Sequence, residues 1–280
     1  MRHGDGSSVA QVAALLPAEL DFFSGFRFVP LKGGYGLRNL MLTIEYDGTN
    51  YHGWQRQDNA VTVQEMLEKS LKKITKEDIT VTGCSRTDTG VHALAFVCNF
   101  YTQSNIPVDK LPYALNSILP DDIVALECKE VPQEFHARYW AKGKKYRYRV
   151  INRAFPSAFE RNYACHWPYP LDINLMKAAA QFFIGEHDFK AFMASGSSIK
   201  DTVRNIYSLT VEQKDNEVII EISGNGFLYN MVRIISGTLL YVGNGKISVE
   251  QISDIIKAGD RRKAGITAPP QGLFLVEVYY

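Results

Sequence analysis

The stretch at residues 144–150, Lys-Lys-Tyr-Arg-Tyr-Arg-Val, restricts the fold of this chain more than any other. Tyr146, Tyr148 and Val150 fall on one side of a two-residue period, with Lys145, Arg147 and Arg149 on the other. A helix would scatter these side chains around its circumference, whereas a strand sorts them into an apolar face and a charged face. Residues 40–46 repeat the pattern: Leu40, Leu42, Ile44 and Tyr46 alternate with Met41, Thr43 and Glu45. Half-buried strands are therefore the framework.

Helices fall between them. Thr62-Val63-Gln64-Glu65 has the form of a capping box, in which the Thr62 hydroxyl takes the N3 amide and Glu65 reaches back to the cap. The residues after it place Val63, Met66, Leu67, Leu71 and Ile74 on one helical face. Residues 80–82, 93–100 and 124–131 read as strands, and residues 109–119 as a short helix. A second round follows, with a helix over 171–183 capped by Asp172 and a hairpin of 207–212 and 218–223 around Asp215-Asn216. An apolar helix over 227–242, a helix capped at Ser248 to Gln251, and a closing strand over 273–278 complete it. Strands and helices in both halves predict an α+β chain of two domains, residues 40–142 and 143–280. Residues 1–39 are rich in glycine and have no sustained period, so they read as a disordered extension outside the fold.

Charge narrows the partners. Lys and Arg total 31 against 30 Asp and Glu, a net charge of +1, which excludes a globally basic nucleic-acid binder. A polyanion would have to be held by a local patch, and the chain has one. Arg138, Lys142, Lys144, Lys145, Arg147, Arg149 and Arg153 come without an acidic residue among them and are interleaved with Tyr139, Trp140, Tyr146 and Tyr148. Cations can follow phosphates while aromatic faces accept unstacked bases; the plain alternative is a solvated strand face. At 46% apolar and 12% aromatic residues the chain can bury a core, and no run of eighteen apolar residues predicts a membrane helix. The cysteines Cys84, Cys98, Cys128 and Cys165 form no C-x-x-C pair and read as small core residues in a reducing, cytoplasmic setting.

Two residues stand out chemically. Asp88 lies in the polar loop GCSRTDTGVH between two apolar strands, where a carboxylate would face a cleft or, more plainly, bond local amides as a turn. Arg233 is surrounded by Met231, Val232, Ile234 and Ile235 on an apolar helix, a costly position unless a carboxylate meets its planar fork. The alternative is a side chain that snorkels to water. An arginine facing Asp88 would favour its ionised form and fix its direction. Other motifs fail. Glu45 stands where an Asp-x-Asp-Gly-Thr phosphatase loop needs its first aspartate, and the six histidines form no metal pair on a helix. No glycine run matches a P-loop or a dinucleotide fingerprint. Chemistry without a metal or cofactor is what these residues predict.

The loop GCSRTDTGVHAL (residues 83–94) resembles the signature of the TruA family of tRNA pseudouridine synthases. EYDGTNYHGWQRQ (45–57), FHAR (135–138), KKYRYRV (144–150), GEHDFKAF (185–192), NMVR (230–233) and GLFLVEV (272–278) follow in the family's order. The resemblance covers residues 40–280. It implies two domains, each a largely antiparallel sheet flanked by helices, with the sheets lining a central RNA-binding cleft. It also implies a homodimer that isomerises uridine to pseudouridine on the 3′ side of the tRNA anticodon stem-loop, with an aspartate nucleophile and no cofactor. Residue by residue, it puts the catalytic aspartate at Asp88, the substrate-contacting tyrosine at Tyr146, the pairing arginine at Arg233 and the loop arginine at Arg86. Lys144, Lys145, Arg147 and Arg138 are then the expected RNA contacts. Cys84, Ser85 and Thr89 depart from the commonest residues of the loop. The competing reading is a non-catalytic RNA-binding or tRNA-folding protein on the same fold.

Overall fold

The computed structural model describes residues 36–196 and 199–280, and Leu37–Tyr280 forms a compact unit. Of the extension expected over residues 1–39, residues 1–35 lie outside the described residues. Its last two positions do not belong to it, because the first strand, β1 (Arg38–Tyr46), starts there. Arg38 donates to the Ser104 and Ile106 carbonyls and pairs with Glu130 at 3.0 Å. Asn39 is fully buried, and its amide donates to the carbonyls of Pro132 and Phe135. Polar side chains anchor this start, so hydrophobic periodicity does not report it.

Nine further strands join β1: β2 (Thr82–Gly83), β3 (His92–Thr102), β4 (Ile123–Val131), β5 (Gly143–Asn152), β6 (Cys165–Trp167), β7 (Gly185–Asp188), β8 (Val203–Lys214), β9 (Glu217–Gly224) and β10 (Leu273–Tyr279). They form a single sheet in the order β4-β1-β3-β10-β5-β9-β8-β7, with β2 on β3 and β6 on β5. Every pairing is antiparallel except β10 with β3 and β5 with β6. The fold is α+β and mainly antiparallel, as expected. The halves anticipated on either side of residues 142 and 143 meet through the C-terminal strand, which lies between β3 of the first half and β5 of the second.

Register shows how the face is shared. Tyr46, Ala93, Leu275, Tyr146, Ile222 and Leu209 are successive pairing partners across six strands, and all six are buried. Paired residues point the same way, so this row is one continuous apolar line under the helices. Helix α1 (Val63–Thr75) packs with α2 (Leu111–Asn116), and α2 lies on β4. Helix α3 (Ile173–Ala180) lies on β8 and against α4 (Met231–Gly243), which also reaches β5. Helix α5 (Gln251–Ala258) follows. The four cysteines are free and buried. Among the described residues no helix is long and apolar enough to cross a membrane.

Local capping differs in detail from expectation. The Thr62 hydroxyl accepts from the Glu65 amide at 3.4 Å, but the Glu65 carboxylate pairs forward with Lys69 at 2.7 Å instead of reaching back. Glu65 and Lys69 stand one turn apart on the same helix face, the spacing at which opposite charges meet. Ser248 and Gln251 do form the reciprocal pair, with the Ser248 amide donating to Gln251 Oε1 at 2.8 Å. Asp172 caps α3 by accepting from the Asn174 and Leu175 amides. The start of α4 also differs from expectation. The apolar run from Phe227 predicts a helix from that residue, yet the helix starts at Met231, after Asn230 in a left-handed conformation at φ 59°. Phe227 and Leu228 are apolar because they wall a pocket, and apolarity alone does not separate a wall from a helix face.

Candidate active site

Residues 84–91 connect β2 to β3 and are held from behind by the loop after β1. Gly48 and Gly53 make this contact possible. A Cβ on Gly48 would sit 2.0 Å from the Val91 carbonyl oxygen, and one on Gly53 would sit 2.3 Å from that of Thr87. Gly53 also has φ +80°, which side chains resist. Across this close approach the Trp54 amide donates to the Thr87 carbonyl at 3.2 Å and the Gly90 amide to the Tyr51 carbonyl at 3.3 Å. Tyr46 and Thr87 share a hydroxyl bond of 2.8 Å, and Trp54 stacks on Phe96 with ring centres 4.0 Å apart. The two glycine-containing motifs are therefore one clamp.

His92 closes the clamp. It is buried, accepts the Gly48 amide on Nδ1 at 3.0 Å, and has Nε2 2.9 Å from the Asn162 carbonyl. Nδ1 also lies 3.1 Å from Asp47 Oδ1, and burial pushes the imidazole pKa down against the pull of that carboxylate. Sequence reading assigned His92 no role. Its signal was position, directly after the glycine turn and at the first residue of β3.

The clamp presents Asp88. The Arg233 guanidinium donates from Nη1 to Asp88 Oδ2 at 3.2 Å. Among the described residues this is the carboxylate's only hydrogen bond, so the turn in which Asp88 bonds local amides does not form, and Oδ1 has no partner. Arg233 does not snorkel. Its Nε donates to the Ala268 carbonyl at 2.7 Å and its Nη1 to Asn230 Oδ1 at 2.7 Å. Asn230, one helical turn before Arg233, is a site residue that sequence reading passed over; its signal was the i, i+3 spacing within Asn-Met-Val-Arg. Arg233 alone would lower the Asp88 pKa, as expected. Burial raises it more, so the net shift is upward, with the arginine opposing it by charge and hydrogen bond.

A pocket of about 590 Å³ opens over Asp88. Tyr146 and Lys144 enter it from β5, Arg86 from the loop, Arg138 from the segment before β5, and Phe227 and Leu228 from the turn before α4. Tyr146 is buried, with its ring edge-on to Phe227 at 5.1 Å. Burial drives its phenol pKa well up despite a hydrogen bond from Ser85, so the hydroxyl is held neutral. Arg86 and Arg138 are exposed at the rim.

The basic strand divides. Lys145 and Arg147 do not line the pocket. They sit on the other face of β5, where Lys145 pairs with Glu221 at 2.7 Å and Arg147 with the same carboxylate at 2.7 Å. Arg149 pairs with Glu217 at 2.6 Å and Glu160 at 2.9 Å. Burial alone would raise the Glu221 carboxyl, but its two cations hold it below the usual range. Lys145 and Arg147, expected as RNA contacts, thus share one counter-charge on the face away from the pocket. The counter-charges come from β9, about 70 residues on in sequence, out of reach of a local reading of charge. Among the described residues no group of three His, Cys, Asp or Glu side chains could hold a metal.

Comparison with known proteins gives this arrangement its context. A family model described as tRNA pseudouridine synthase matches residues 42–140 and 179–280. The tRNA pseudouridine synthase A of Thermoanaerobacter sp. (strain X514) is 59% identical over 244 residues, which is 87% of this chain and 100% of the relative. That of Ruminiclostridium cellulolyticum is 59% identical over 245 residues, with the same coverage. That of Clostridium acetobutylicum is 50% identical over 244 residues, again 87% of this chain and 100% of the relative. Matches that span both the aspartate loop and the arginine helix assign the chain to the TruA family of tRNA pseudouridine synthases.

Proposed function

We propose that this protein isomerises uridine to pseudouridine in tRNA, on the 3′ side of the anticodon stem-loop, as a cytoplasmic homodimer that uses Asp88 and no cofactor. One observation carries the reading: a half-buried carboxylate in the lining of a pocket, with one oxygen held by Arg233 and the other without a partner among the described residues. That is the form a nucleophile or base takes before its substrate arrives.

The reaction breaks the N1–C1′ bond, turns the uracil and rejoins it through C5. Substrate and product are isomers, so nothing is oxidised or reduced. Asp88 Oδ1 is free to attack C1′, to add to C6, or to remove the C2′ proton. A uridine must leave the helix stack to reach it, and the aromatic wall of Tyr146 and Phe227 offers a surface for the flipped base. Tyr146 serves as a stacking surface and neutral hydroxyl, since its raised pKa disfavours a base. Arg86 and Arg138 at the rim hold phosphates or fill the space the uridine leaves.

Incubating the purified protein with an unmodified tRNA transcript, followed by chemical mapping of pseudouridine, tests the whole reading. Pseudouridine confined to the 3′ side of the anticodon stem-loop is the expected result. Binding without conversion would instead favour the RNA-binding protein.

A further inference from the structure

Lys144 differs from every other cation of β5. Lys145 and Arg147 share Glu221 and Arg149 has Glu217, while the Lys144 ammonium, on the Tyr146 face, makes no ion pair or hydrogen bond with any described residue. It is half-buried in the pocket that holds Asp88, whereas Arg86 and Arg138 are exposed at its mouth. It shares the pocket lining with Cys84, Tyr146, Phe227 and Leu228 as well as Asp88, and Cys84 and Arg138 are close enough to act on its charge. A half-buried ammonium with no ion-pair partner is disfavoured in the empty protein. It becomes favourable when the ligand brings negative charge to it.

If the protein performs the isomerisation proposed above, that charge arises within the pocket. When the N1–C1′ bond breaks, its electron pair stays on the uracil and spreads over N1 and the carbonyl oxygens O2 and O4. Asp88 supplies the replacement electrons, either as a new bond to C1′ or by taking the C2′ proton so that the C1′–C2′ bond becomes double. We propose that Lys144 donates a hydrogen bond to a carbonyl oxygen of the departing uracil and stabilises the anion while it is detached and turned. A phosphate is the weaker candidate, because the exposed Arg86 and Arg138 meet the backbone first. Apolar walls around Lys144 strengthen its interaction with charge that forms only in the transition state.

The test uses tRNA transcripts with uridine or 5-fluorouridine at the target position, under single-turnover conditions with saturating enzyme. Fluorine at C5 acidifies N1 and makes the base a better leaving group, so it needs less help. Lys144→Met should slow rearrangement of the uridine substrate about 100-fold, the scale of losing one transition-state donor, with tRNA Kd within threefold. With 5-fluorouridine, followed by loss of its N1–C1′ bond because its C5 has no proton to release, the loss should shrink to about tenfold or less, and Lys144→Arg should recover most of the rate. Thermal unfolding of both variants establishes that they fold, and Lys144→Arg keeps the test open if the methionine variant does not. Three results would overturn the proposal: an unchanged rate, an equal loss on both leaving groups, or a loss confined to Kd with a shallower salt dependence, which marks a phosphate contact. A wild-type protein that makes no pseudouridine refutes the proposed function itself, a different outcome from a working enzyme indifferent to Lys144.

Discussion

The Arg233 guanidinium lies 3.2 Å from Asp88 Oδ2 across 145 residues of sequence, and this is the longest of its three hydrogen bonds. The Ala268 carbonyl and the Asn230 amide oxygen, both at 2.7 Å, hold the guanidinium by neutral groups. Its direction therefore does not depend on Asp88. The arginine offers a fixed positive charge, and the carboxylate meets it through one oxygen.

Asp88→Asn is expected to abolish pseudouridine formation while leaving tRNA Kd within about tenfold, because binding is spread over many cationic contacts. Its stability carries a second signature. A carboxyl whose folded pKa is raised adds stability at low pH and loses it as pH rises through the folded value. At neutral pH the ionised Asp88 is thus a net burden on the fold. Asp88→Asn should unfold at the same temperature as wild type or higher at pH 7, with the gap closing near pH 3. A large drop in melting temperature at pH 7 would make the pair structural.

Arg233→Met should act in the opposite sense. It strands a half-buried carboxylate and removes two further bonds, at a cost of about 3 kcal/mol, the low end for a broken buried pair because Asp88 is partly exposed. Without the arginine only burial acts on Asp88, so its pKa rises further. The reaction needs the ionised form, so the acid limb of the rate profile should move to higher pH. Arg233→Lys should fold and react slowly, because one ammonium cannot reach Asp88, Asn230 and Ala268 together. Rate–pH profiles of the three proteins decide this; an unmoved acid limb in Arg233→Met means that Asp88 does not govern it.

Tyr146→Phe keeps the ring against Phe227 and loses the hydroxyl. A rate reduction of about tenfold or more with little change in Kd is expected. Because burial holds the phenol neutral, the wild-type profile should show no alkaline limb that the variant lacks. Equal turnover by the two proteins would leave Tyr146 as a stacking surface only.

Gly53→Ala tests the clamp behind the aspartate. Its Cβ would meet the Thr87 carbonyl at 2.3 Å in a left-handed conformation, so the aspartate loop must move. Overpacking of this kind costs about 1–3 kcal/mol. The activity loss should exceed the fraction unfolded at the assay temperature. Activity that simply tracks folded protein would show that the loop tolerates the shift.

Arg147→Ala should weaken tRNA binding less than Arg138→Ala, because Arg147 is paired with Glu221, which it shares with Lys145, and faces away from the pocket. Filter binding across a salt series compares them. A steeper loss for Arg147→Ala would place RNA on the far face of β5.

Much of this molecule is determined by local order along the chain. Period-two runs at residues 40–46 and 144–150 specify strands, because only an extended backbone sends alternate side chains to opposite faces. Arg233, inside an apolar helix, already requires a distant acceptor, since buried guanidinium charge is costly wherever the chain goes. Family motifs name Asp88 as one of those acceptors. Tertiary structure decided what depends on neighbours distant in sequence. It brought Glu221 beside Lys145 and Arg147, so that two of the expected RNA contacts share one counter-charge on the far face, and it left the Lys144 ammonium, one residue away, in the pocket with no ion pair among the described residues. It turned the sign of the Asp88 shift, because burial is a property of the packed pocket and not of the loop. Covalent order sets which groups a residue carries and which face it takes, while desolvation and counter-charge are set by elements that meet only on folding.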